Sequence, residues 1–450
     1  MRRWLQLAVV ASGCSDPEYF VCTQQEECVD GQGQGICQPT GSCSFPDDDC
    51  ESGQRYGAQS PPPLAGECVL EPGTTGSVDP TSMGTTGPEP SSGPEPSSSS
   101  GPSTGTSTTG PACPEDWWDC DFAVRHRLSI ARVLSSPLED VPVLVVLDPQ
   151  RVDYAAMQND GEDVRFVGSD GVALPFELVS WQQDGVSKAW VAVDTIAEVD
   201  AFIWLYYGNP LAQTQDELAM EWRAPFVGVW HLDDDGTDAT EHANEGTPIG
   251  TVAFEPGQIG GAADFASANA RLEIAASESL AHVFSEGGGT LTAWVNPRTW
   301  GAGNFGRIAD KLSGGSGWRF FLGDGGRLRF HMAWNAADVP GWTSAEGTLE
   351  LATWTHVAVS FDPSIDTQPR FHVNGVEVPL EAPLVAPAAV TSDDAGLPLL
   401  LGNRAELDRG FDGLLDEVRL SNRVRSAEWI ALQYDTMRDA LLIYGPPESW

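Results

Sequence analysis

The chain of 450 residues is poor in positive charge: 24 Lys and Arg stand against 65 Asp and Glu, a formal net charge of −41. That balance excludes nucleic acid as a partner, because its phosphates would be repelled rather than neutralised. It suits a soluble outer-surface protein, one able to use divalent cations. No apolar run reaches the about 20 residues that a membrane-spanning helix needs. Catalytic signatures are scarce as well, with no H-E-x-x-H and no P-loop. What the chain does have is 41% apolar residues and 16 Trp, enough for large cores, over a length that suggests roughly three domains.

The start reads as a targeting segment. Arg2 and Arg3 form a basic head, and Trp4 to Ala11 a short apolar stretch. Ala11-Ser12-Gly13-Cys14 resembles a bacterial lipobox, in which Cys14 becomes the N-terminus of the mature chain and is lipidated. The resemblance departs at Ala11, where Leu is usual. An ordinary signal peptide, with Cys14 in a disulfide, is the alternative. The count of nine Cys is odd, and setting Cys14 aside leaves every other one able to pair. Cys22, Cys28, Cys37, Cys43, Cys50 and Cys68 form a cluster in residues 15–70, while Cys113 and Cys120 stand apart. The cluster has too few apolar residues for a core, so disulfides must hold it. Sequence does not choose their connectivity. A zinc site fits less well, since the cluster has no C-x2-C pair and no His. Its Gly- and Asp-spaced pattern resembles the short Cys-rich modules of myxobacterial surface proteins.

Residues 71–111 are rich in Pro, Ser, Thr and Gly. Such a composition cannot bury enough surface to offset its ordering entropy, so it is expected to be a linker. As a flexible coil it would span roughly 35 Å root-mean-square. Its expected role is a stalk.

Residues 112–222 show short apolar runs bounded by Gly, Pro, Asp or Asn: Arg127 to Ile130, Val141 to Leu147, Val164 to Phe166, Phe176 to Trp181, Ala189 to Val193 and Ala201 to Tyr207. Regular spacing of such strands predicts a β-sandwich. Asp163-Val164-Arg165-Phe166, Leu174-Pro175-Phe176-Glu177 and Tyr206-Tyr207-Gly208-Asn209-Pro210 resemble a bacterial extracellular family known only as a domain of unknown function. Asp163, Arg165 and Glu177 are its candidate catalytic types, but an ion pair or turn contact accounts for the first two.

In residues 223–450, Val227 to Leu232, Leu291 to Val295, Arg319 to Leu322, Arg327 to Met332 and Trp354 to Phe361 read as strands, and Asn374-Gly375 marks a hairpin. Phe411 to Ile430 is the most telling stretch. Leu414, Asp416, Val418 and Leu420 alternate with Leu415, Glu417 and Arg419, and Ser426 is placed to cap a short helix. F-D-G-L-L-D-E-V-R and W-T-H-V-A-V-S-F-D resemble the motifs of concanavalin A-like, laminin-G-like jelly rolls. The expected fold class is therefore all-β, with two β-sandwich domains of which the C-terminal one is a jelly roll. A small disulfide-rich module and a disordered linker precede them.

That fold hosts lectins and glucanases, so function has to come from residues. Retaining glucanases of this fold carry E-x-D-x-x-E. Glu406 and Asp408 begin the motif, but its last Glu falls on Phe411 or Asp412, which argues for a non-catalytic module. The expected role is binding or adhesion, with a glycan or another surface component as partner. A glycan hydrolase and a structural spacer are the alternatives. Trp342, Trp318 and Trp334, beside Gly, Pro or Asn-rich turns, are the candidate sugar platforms; Trp230, Trp294 and Trp354, on strand patterns, are expected in the core. Asp233, Asp238 and Asn244, with Asp416 brought beside them by the fold the resemblance implies, are candidate ligands of one structural Ca²⁺, which takes about six to eight oxygens; a solvated acidic turn is the alternative. The expected location is the outer membrane or cell surface, with membrane contact only through the lipid on Cys14.

Overall fold

A computed structural model describes residues 28–30, 33–37, 43–47, 50, 54–57 and 69, and residues 113–450 except 198, 214–219, 221, 267, 334–340 and 382–392. Cys14, Cys22, Cys68 and Trp334 lie outside the described residues. The chain divides into two compact units, Met1–Gly105 and Thr106–Trp450.

In the first unit, Ile36–Cys37, Cys43–Pro46 and Gln54–Tyr56 form a three-stranded antiparallel sheet. Cys28 is joined to Cys43, and Cys50 is also disulfide-bonded. Among the described residues of this unit, the buried hydrophobic ones are Cys28, Cys43, Cys50 and Tyr56, so disulfides contribute to holding it.

Among the described residues, the second unit is all-β apart from the α-helix Ala427–Met437 and short 3-10 turns. Its N-terminal part stacks a three-stranded sheet on a six-stranded one. The first is built from Leu138–Leu147, Phe176–Ser180 and Ser187–Ile196; the second is centred on Val124–Ile130, Phe202–Tyr207 and Arg165–Gly168. The Tyr-Tyr-Gly-Asn-Pro string closes this sheet, and Asp163 holds it. The Asp163 Oδ2 accepts from the amides of Gly208 (2.8 Å) and Asn209 (3.2 Å), while Oδ1 accepts from that of Gln158 (2.8 Å). Arg165 is buried and donates to the carbonyls of Glu162, Val164 and Gln213. Both residues thus serve the turn. Cys113 and Cys120 are joined to each other.

The C-terminal part is a jelly roll of an eight-stranded and a seven-stranded sheet. Between them lies a core of Trp230, Phe265, Phe320, Phe330, Phe361, Phe371 and some two dozen further buried apolar residues. The strand Gly413–Ser421 is central, pairing with Phe226–Trp230, Gly261–Asp264 and Gly289–Pro297. Its simple alternation does not hold. Leu415, Val418 and Leu420 all face the core, because the register against Thr292 and Trp294 slips by one residue and Glu417 adopts φ +50°. This is a β-bulge, which turns Leu415 inward and re-aims the charged pair that follows. The helix starts where Ser426 accepts from the Trp429 amide, as the cap pattern predicts.

The 223–450 division counts the chain's end with the jelly roll. In the structure, Leu442–Tyr444 and Glu448–Ser449 pair with Val124–Ile130 in the other sandwich. A second core runs through the N-terminal sandwich and continues under the helix onto the outer side of the eight-stranded sheet, taking in Trp190, Trp222, Val229, Trp294, Ala358 and Trp429. Of the jelly roll's two outward faces, that of the eight-stranded sheet is therefore covered.

Candidate functional site

The predicted aromatic platform is corrected by burial. Trp342 and Trp318 are 0% and 1% exposed, packed with Phe330 and Phe284 between the sheets. Gly and Pro around Trp342 suggest a loop, but Gly341–Thr343 is a strand paired with Arg327–Met332, and pleating turns its one large apolar side chain inward. A ring in the core cannot stack on a sugar. Trp230 and Trp294 are in the core as expected, and Trp354 is half-buried.

The four candidate calcium ligands fall into two pairs. Asp238 is buried and its oxygens accept from the amides of Val229, Thr240 and Asn244 and the Thr240 hydroxyl. Asn244 donates to the Val227 carbonyl. These two staple the loop, with both Asp238 oxygens and the Asn244 side-chain NH2 already engaged. Asp233 and Asp416 instead share the turn at residues 257–261. Asp416 Oδ2 accepts from the amides of Gln258 (2.8 Å) and Ile259 (2.9 Å), and Asp233 Oδ1 from that of Gly261. Asp416 Oδ1 is buried without a partner. Burial, then the neighbouring Glu417 charge, pushes the Asp416 carboxyl well above the usual range, and burial also raises Asp233. Among the described residues, no group of three or more His, Cys, Asp or Glu is arranged to hold a metal.

The bulge creates a cluster that no local pattern shows. Glu417 accepts from Arg419 Nη2 (2.6 Å) and Trp190 Nε1 (3.3 Å), and lies 2.9 Å from His231 Nδ1. Glu177, from the other sandwich, sits 3.6 Å from His231 Nε2 and accepts from Trp222 Nε1. Arg419 is held against the rings of Trp190 and Trp222. Burial alone would depress His231, but the Glu417 and Glu177 carboxylates outweigh it and push it up to about 10. Burial would raise Glu417, yet Arg419 and His231 pull it down to about 2. Two cations and two anions thus neutralise one another inside the protein. Glu417 is 1% exposed and Arg419 2%, so the centre of the cluster ties the sandwiches together, while the Glu177 side chain at its edge is 37% exposed.

The outward face of the seven-stranded sheet has a different character. Strands Arg307–Ser313, Ser316–Gly323, Arg327–Met332 and Gly341–Thr343 lie side by side there. Their inward residues are Ala309, Phe320, Leu328, Phe330 and Trp342. Pleating sends Arg319, Phe321, Arg327, Arg329 and His331 outward. Phe321 lies under the guanidiniums of Arg307 (4.4 Å) and Arg319 (5.5 Å), and Phe305 under those of Arg329 (5.3 Å) and Arg409 (5.5 Å). Beside them is a groove of about 410 Å³ lined by Arg327, Arg329, His331, Gly341 and Thr343, among others.

The glucanase-type carboxylates do not form a catalytic pair. Arg404 bonds Asp408 (2.5 and 2.8 Å) and lies 3.4 Å from Glu406. That hydrogen bond pulls Asp408 down to about 2, whereas a general acid needs a raised pKa. Phe411, where the motif's last Glu would stand, is in the core.

The profile of the concanavalin A-like lectin/glucanases superfamily matches residues 269–431. That of a domain of unknown function, DUF2341, matches residues 160–223. The second unit thus carries a concanavalin A-like domain behind a region of uncharacterised family. Solved structures of similar fold include the binding domain of Paraclostridial Mosquitocidal Protein 1, at 14% identity and a TM-score of 0.39 over 47% of this chain and 52% of that one. The receptor binding domain of botulinum neurotoxin C/D mosaic serotype matches at 12% and 0.38 over 47% and 51%. Domain 4 of the GH43 extracellular arabinanase AbnA from Geobacillus stearothermophilus, solved with arabinotriose, matches at 20% and 0.35 over 46% and 96%. No curated protein sequence matches the chain.

Proposed function

We propose that the protein is a non-catalytic surface-binding module that engages a glycan or a neighbouring surface component through the outward face of the seven-stranded sheet. One observation carries this reading: the other outward face of the jelly roll is buried against the second sandwich and the helix, whereas this one carries a groove lined by Arg327 and by Arg329, whose guanidinium rests over the Phe305 ring. Fixed side chains of this kind bind at a lower entropic cost than mobile ones. Pulled-down Asp408 and buried Phe411 support the absence of glycosidase chemistry. The proposal includes lipidation of Cys14 and display on the stalk of residues 71–111, supported by the A-S-G-C string and the Cys count. It also includes a structural Ca²⁺ near Asp233 and Asp416, supported by the unpartnered Asp416 Oδ1.

A glycan array probed with the full chain and with Phe305→Ala tests the binding reading. Retained glycans whose signal falls in the variant are expected. A blank array, or one indifferent to Phe305→Ala, overturns it. Hydrolysis of a polysaccharide that is lost on Glu406→Gln would replace it with the enzyme reading.

A further inference from the structure

The groove on the outward sheet face follows two paired strands, Arg327–Met332 and Gly341–Thr343. His331 stands opposite Gly341, and a glycine is needed there: a Cβ would come within 2.5 Å of the His331 Nε2. The ring is held from its other side. Arg319 Nη2 lies 3.0 Å from Nδ1, and a guanidinium only donates, so Nδ1 accepts and the neutral ring carries its proton on Nε2. Burial, then the charges of Arg319, Arg307 and Arg329, hold His331 down at about 3, so it is neutral at any physiological pH.

Each guanidinium lining the groove has a carboxylate. Arg329 has Asp324 at 2.8 Å, and Arg327 has Glu346 at 3.2 Å and Glu381 at 3.6 Å. The arginine side chains are 18% and 21% exposed and the three carboxylate side chains 47% to 69%, so an arriving ligand meets the carboxylates first. Among the described residues lining the groove, three carboxylates thus face two guanidiniums, an excess of one negative charge in a chain of net charge −41.

That lining discriminates between three kinds of ligand group. An anionic group has no donor to give the carboxylates, is repelled by the field of the whole chain, and reaches a guanidinium only by displacing its partner. A cationic group satisfies the carboxylates but offers no acceptor to the remaining guanidinium hydrogens or to the His331 Nε2–H. A hydroxyl both donates and accepts, so a row of hydroxyls fits the mixture without breaking an ion pair. Resting on the binding reading above, we infer that this groove selects uncharged saccharides, whose hydroxyls donate to Glu346 and Glu381 and accept from Arg327, Arg329 and His331.

The test is an array of matched glycans probed with the full chain: lacto-N-neotetraose with its sialylated form, xylotetraose with an aldotetraouronic acid, and tetra-N-acetylchitotetraose with its N-deacetylated form. Each pair that gives a signal is then titrated by calorimetry. The neutral member is expected to bind about tenfold tighter than its charged counterpart, one tenfold step being about 1.4 kcal/mol. Combining Glu346→Gln with Glu381→Gln leaves Arg327 without a carboxylate, and in that variant the acidic member should gain about tenfold. A gain of affinity cannot come from a failure to fold. His331→Phe, which keeps a ring but no donor, should weaken the neutral member severalfold at an unchanged melting temperature. Equal binding within the pairs, tighter binding of an acidic or amino form, or no gain for the acid in the double variant would each overturn the inference. If that happens while Phe305→Ala still lowers the array signal, the glycan reading stands and only its charge selectivity falls; a blank array removes both.

Discussion

The guanidinium of Arg419 lies 4.2 Å from the centroid of the Trp190 ring, and those two residues come from different sandwiches. Trp190 also donates to Glu417, the partner of Arg419. The contact between the halves of the second unit is thus ionic at its centre and aromatic around it.

Removing one member of that cluster leaves a buried charge without its partner, which costs about 3–5 kcal/mol. Arg419→Met is therefore expected to lower the melting temperature by several degrees in calorimetry. It should also broaden or split a transition that is single in the parent chain. An unchanged transition would mean that the apolar contacts alone join the sandwiches.

The pH dependence has two sides. His231 has a folded value of about 10 against an ordinary 6.5, so its stabilisation is complete below about 6.5 and is lost as pH rises through 10. Glu417, at about 2 against 4.5, stabilises above 4.5 and loses that effect as pH falls towards 2. His356 and His372 work in the same acid direction as Glu417. Burial first, then nearby positive charge, holds them at about 3 and 4, and their ring nitrogens have no partners. The unfolded chain protonates them below 6.5 and the folded one does not, so stability falls from 6.5 downwards. A melting series from pH 3 to 10 should show both limbs, with His356→Leu flattening the acid one. An acid limb of the same slope in that variant would exclude His356 as its cause.

A cation between Asp233 and Asp416 would relieve two raised carboxyls and the bare Asp416 Oδ1. Binding to the folded state alone raises stability by mass action. The full chain is expected to melt higher in millimolar calcium than in chelator, and Asp416→Asn should remove the difference. Equal melting in both buffers leaves the turn at 257–261 as an amide-bonded corner without a cation.

Two covalent expectations are read by mass spectrometry. The mature N-terminus should be a diacylated or triacylated Cys14. Non-reducing peptide maps should link Cys113 to Cys120 and Cys28 to Cys43. A peptide joining Cys113 or Cys120 to residues 22–68 would break the separation of the two groups.

The strands were legible because their evidence is local. Alternation and turn residues give Val124–Ile130, Phe202–Tyr207 and Thr355–Phe361 within a few positions, and Ser426 marks the helix start. The bulge at Glu417 was not legible, since one extra residue in a ladder depends on the partner strand. That same residue decided which side of Gly413–Ser421 faced the core. The charged cluster escaped for a related reason: Glu177, His231 and Glu417 are far apart in sequence, and only packing of the sandwiches joins them. Trp342 misled because Pro340 and Gly341 look like a turn from the chain alone.

Residues 442–449 complete a sheet whose first strand begins near residue 124. During synthesis that strand can pair early with Phe202–Tyr207 on one side, but its other side waits through some three hundred residues for Leu442–Tyr444 and Glu448–Ser449. The N-terminal sandwich therefore cannot finish ahead of the jelly roll, and the second unit matures as a whole, late and through distant pairings. The same order also means that residues 223–450 cannot be cut out or exchanged as one part without removing two strands from the other sandwich's sheet.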